Sequence, residues 1–93
     1  MALSEEIRKQ IREYSYANKQ EDLIEYLKDK IKKNEIQIHE LFDYARDYIF
    51  VQLEGKPHII NAAVINKIGV FISSLDDDQS KLSVQFYKLA AAP

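Results

Sequence analysis

The chain has no cysteine, and only two glycines and two prolines among its 93 residues. Without cysteine there is no disulfide framework, no thiolate nucleophile and no cysteine-ligated zinc or iron–sulfur site. Packing alone must hold the fold, which suits a reducing compartment and leads us to expect a cytoplasmic protein. Scarce glycine and proline argue against the many turns of a β-sandwich and favour long helices joined by short connections. Both glycines are isolated, so there is no phosphate-cradling loop and no Gly-x-Ser-x-Gly elbow. A large charge excess is missing too. The formal net charge of -2 gives no global attraction to nucleic acid or to an anionic membrane.

Long apolar runs are also scarce. The longest strongly apolar segment, residues 57–75, contains Asn61, Asn66 and Lys67 and is too polar to read as a membrane span. The opening Met1-Ala2-Leu3-Ser4-Glu5-Glu6 has neither the basic nor the apolar region of a signal peptide.

What remains is an ordinary globular composition, 46% hydrophobic and 30% charged, at the length of one domain. We therefore expect a single helical domain over 1–93. Residues 88–93, with their run of alanines, are expected to be a tail left by cloning. The charge is unevenly spread. Residues 1–33 hold eight Lys/Arg against seven Asp/Glu, and residues 34–93 hold five against eight. Any cationic surface must lie in the first third.

Helical spacing and capping signals recur along the chain. Ser4 followed by Glu5-Glu6 caps a first helix over 4–16, with Leu3, Ile7, Ile11 and Tyr14 on one stripe. Asn18 with Glu21 makes a capping-box pattern for a second helix, whose stripe is Leu23, Ile24, Leu27 and Ile31. Asn34 with Gln37 repeats it for a third, carrying Ile38, Leu41, Phe42, Ala45, Tyr48, Ile49 and Leu53 and ending at Gly55. Pro57 suits the first turn of a fourth helix, with Ile60, Val64, Ile68, Phe71 and Leu75; it is expected to be central and buried on most sides. Asp76 with Gln79 would open a last helix bearing Leu82, Phe86 and Leu89. The favoured fold is all-α, an antiparallel four-helix bundle with a short fifth helix.

A competing pattern exists in the C-terminal third. Ile68, Val70 and Ile72, then Leu82, Val84 and Phe86, alternate at period 2 and are mostly β-branched or aromatic. With Asp76-Asp77-Asp78-Gln79 as the turn, residues 68–87 would form a β-hairpin and the fold would be α+β.

No catalytic constellation emerges, and neither an enzyme nor a cofactor is expected. The two histidines, His39 and His58, fall on different elements. His39 and Asp43 are an i,i+4 pair with Glu40 and Asp47 nearby, a spacing that could hold a divalent cation. The better reading is an exposed face with Arg46 as counter-charge. An EF-hand loop starting at Asp76 would need Gly sixth and Glu twelfth, where the chain has Lys81 and Tyr87. No metal site is expected there.

Lys28, Lys30, Lys32 and Lys33 put four lysines into six residues, a candidate patch for an acidic partner. Helical spacing divides them, since Lys28 and Lys32 share a face and Lys30 does not, and the helix dipole gives a structural reason for their position. Six tyrosines are many for this length; Tyr16 and Tyr26 fall off their stripes, as does Phe50. Tyrosine is enriched in recognition surfaces. The candidate partner surface is thus Lys28, Lys30, Lys32, Lys33, Tyr26 and Phe50.

From Pro57-His58-Ile59-Ile60 through Ile65-Asn66-Lys67-Ile68 to Asp78-Gln79-Ser80-Lys81-Leu82 and Lys88-Leu89, the C-terminal third resembles a bacterial family. These are the small helical immunity proteins that protect lactic acid bacteria against their own pediocin-like bacteriocins. The family pairs a proline-opened apolar helix with a short polar break and a last helix. The chain departs from it in being slightly acidic and in its fifth helix. The resemblance implies a non-enzymatic, cytoplasmic protein with a protein partner at the inner face of a membrane. The alternative is a phage- or plasmid-type regulator that binds a host protein or nucleic acid. Its DNA-binding form would be a winged helix, with 59–68 as recognition helix and 69–87 as wing. That helix carries only Lys67 and the wing tip three aspartates, so nucleic acid is the less expected partner.

Overall fold

The structure, a computed structural model, describes residues 3–50 and 62–91, the side chains of 48–50 excepted. Helix α1 is Glu5–Tyr16, α2 Gln20–Lys32, α3 Ile38–Phe50 and α4 Ala62–Ser73. A 3₁₀ turn, Asp78–Leu82, leads into α5, Ser83–Ala90. No strand occurs among the described residues, so the all-α fold stands and the β-hairpin over 68–87 does not. Four features proposed from the sequence, namely Tyr48, Ile49 and Leu53 on the third stripe, the stop at Gly55, the start at Pro57 with Ile60, and His58, lie outside the described residues or side chains.

The first helix starts as its sequence dictates. Ser4 is extended, and its hydroxyl accepts the Ile7 backbone N–H at 3.3 Å. Glu5 and Glu6 occupy the first turn, where the helix dipole favours them.

The two asparagines close the helices before them instead of opening the helices after them. Neither Asn18 nor Asn34 caps the helix that follows; both have φ of 58°, the left-handed conformation. Each sits one residue past the C-cap of the preceding helix. The Asn18 N–H bonds to the Ser15 carbonyl and the Lys19 N–H to the Tyr14 carbonyl, at 3.1 and 2.9 Å. Asn34 and Glu35 repeat this on the Ile31 and Lys30 carbonyls, at 3.1 and 2.9 Å. This paired closure is the Schellman motif, which usually uses glycine. A chain with two glycines uses asparagine, the side chain that best tolerates positive φ. Helix α2 therefore starts at Lys19 with no side-chain cap.

The acidic cap signal belongs to the 3₁₀ turn rather than to the last helix. Asp77, not Asp76, caps that turn, its carboxylate accepting the Gln79 N–H at 2.9 Å, and α5 starts at Ser83 with no side-chain cap.

The core draws on every helix. Ile7 and Ile11 of α1 join Leu23, Ile24, Leu27 and Ile31 of α2, and Leu41 and Ala45 of α3. Val64, Ile65, Ile68 and Ile72 of α4 meet Phe86 and Leu89 of α5. Burying each of these larger aliphatic side chains contributes about 1.5–3 kcal/mol. The third stripe is rotated slightly from expectation: Tyr44 is buried and Phe42 half-buried, its ring 5.6 Å from that of Phe86 in an edge-on pair. Leu89, within the stretch read as a tail, is a core residue.

Helix α4 is the packing hub, touching both α2 and α5. It packs tightly on α5 at Gly69, where an added Cβ would lie 3.0 Å from the Tyr87 ring and 3.2 Å from Phe86 Cβ. The helix is not buried on most sides. Val64, Ile65, Ile68, Gly69 and Ile72 face inward, while Ala63, Asn66, Val70, Ser73 and Ser74 are exposed.

Candidate interaction surface

The four lysines of α2 do not form one patch. Lys28 and Lys32 flank the half-buried Phe71 ring of α4, with Nζ 5.8 and 5.7 Å from its centroid. Lys28 also lies 3.7 Å from Glu25. Lys30 turns to the opposite side of α2. Its ammonium donates to Glu35 Oε2 at 3.0 Å and sits 5.5 Å from the Tyr26 ring. Lys33 pairs with Asp29 at 3.1 Å, one turn back. The lysines split as helical spacing predicts, and each has its own local neighbours.

Tyr26 is half-buried and packs on the core beside Tyr14, their rings 5.8 Å apart. Burial pushes its phenol above the usual value, with Lys30 opposing. The Glu35 hydrogen bond raises the Lys30 ammonium in turn. Glu35 and Lys30 are themselves the residues joined by the Schellman closure, so this pair locks a helix end. Tyr26 and Lys30 are thus tied into local structure rather than offered outward. The Phe50 side chain lies outside the described residues.

The remaining charged candidates are likewise accounted for. His39 and Asp43 are exposed. Arg46 lies 3.3 Å from Asp43 and 3.6 Å from Asp47, with its guanidinium 5.7 Å from the Phe42 ring. Among the described residues no group of three His, Asp or Glu is placed to hold a metal ion. Of the acidic triplet, Asp77 caps the 3₁₀ turn and Asp78 lies 3.8 Å from Lys81. Lys67, the one charge in the apolar segment, reaches across to Glu21 of α2 at 2.9 Å. The pair is exposed on both sides and contributes little to holding α4 on α2.

A void of about 10 Å³ lies among Leu27, Leu41, Ala45, Val64, Ile65, Ile68 and Phe86. It is apolar and at the lower limit for one water. Among the described residues no helix is long and apolar enough to cross a membrane.

One surface feature escaped the sequence reading. Val70 and Val84 are exposed at 54% and 51%. In the sequence they supplied the period-2 alternation that suggested strands. On helices they are off-stripe apolar residues, and that mismatch with the core stripe is the signal that would have found them.

No protein-family model matches the chain, and no curated protein or solved structure matches it either.

Proposed function

We propose that this is a non-enzymatic helical protein that acts through protein–protein contact, with bacteriocin immunity as its specific role. The observation that carries the specific role is the order of pieces after α3. An apolar helix, α4, is followed by a polar break through Asp76, Asp77 and Asp78 and by a turn and helix opening at Gln79-Ser80-Lys81. This is the order on which the resemblance rests, and its described part consists of helices and the break through residues 74–77. The reading brings with it an antiparallel four-helix bundle, a cytoplasmic location and a partner at the inner face of a membrane. Charged side chains engaged in local pairs support contact over catalysis.

The test is expression in a bacteriocin-sensitive strain challenged with a panel of pediocin-like peptides. Survival against at least one of them is expected, and unchanged killing across the panel ends the immunity role. The regulatory alternative keeps its protein-binding form. Its winged-helix form has no hairpin to serve as a wing, since residues 69–73 and 83–87 are helical.

A further inference from the structure

We draw no further inference here: the strongest candidate, the exposed pair Val70 and Val84 on the outer face of α4 and α5, is an apolar patch for which nothing in the structure shows what covers it.

Discussion

At the scale of single residues, position relative to the core decides almost everything. Val70 and Ile72 are two residues apart on α4, yet Ile72 is fully buried and Val70 is more than half exposed. Ile72→Ala should lower unfolding stability by about 2–5 kcal/mol through lost transfer energy and a cavity. Val70→Ala should stay within about 0.5 kcal/mol. Paired urea titrations check the contrast, and near-equal effects would contradict the placement of α4. Glu5 illustrates a surface case. It holds Arg8 at 2.8 Å and Arg12 at 3.1 Å, and the Arg12 hydrogen bond and the Arg8 charge keep its carboxyl below the ordinary value of 4.5. A depressed carboxylate stabilises the fold above its unfolded-state pKa, and that contribution is lost as pH falls through the folded one. The stability gap between wild type and Glu5→Gln should be present near neutral pH and close as the solution is acidified below 4.5. Because Glu5 is exposed, added salt should shrink the gap as well. Thermal melts over that pH range, at low and high salt, measure both effects.

At the scale of elements, helix ends carried the ambiguity. Asparagine is a good N-cap and also the side chain that best tolerates positive φ, so Asn18 and Asn34 fit two roles equally well. The three-residue spacing to Glu21 and Gln37 tipped the reading toward the following helix. What decides the matter is that α1 and α2 must close their last carbonyls, and no glycine is nearby to do it. The two roles predict different mutants. In the left-handed position, Asn34→Ala should cost about 1–2 kcal/mol relative to Asn34→Gly, with glycine at least as stable as wild type. A glycine variant as unstable as the alanine variant would point back to an N-cap. The same scale explains the strand alternative. Alternation of Ile68, Val70 and Ile72 with that of Leu82, Val84 and Phe86 is real, but it arises because Val70 and Val84 are apolar residues left on the outside of helices. Their exposure made two helices mimic two strands.

At the scale of the whole molecule, one apolar core ties together the five helices of the described residues, and α4 links α2 to α5. Unfolding should therefore be a single cooperative transition, coincident by circular dichroism and tyrosine fluorescence, with a urea m-value of about 1 kcal/mol/M. Separate midpoints would mean that the α4–α5 pair unfolds apart from the rest. The sequence left all-α and α+β open, a choice made only by the helices of the C-terminal third. By itself it determined the Ser4 start of α1, the inward stripes of α1 and α2 and the division of the lysine run. Each of these is a local consequence of composition, 3.6-residue spacing or a helix end. The tertiary structure alone decided three other matters. It made Leu89 a core residue. It gave Lys30, Lys67 and Arg46 intramolecular partners. It also left one face of the most apolar helix uncovered. These depend on which helices meet and at what distance, as at Gly69 against Tyr87, and no periodicity within one segment encodes what stands opposite it.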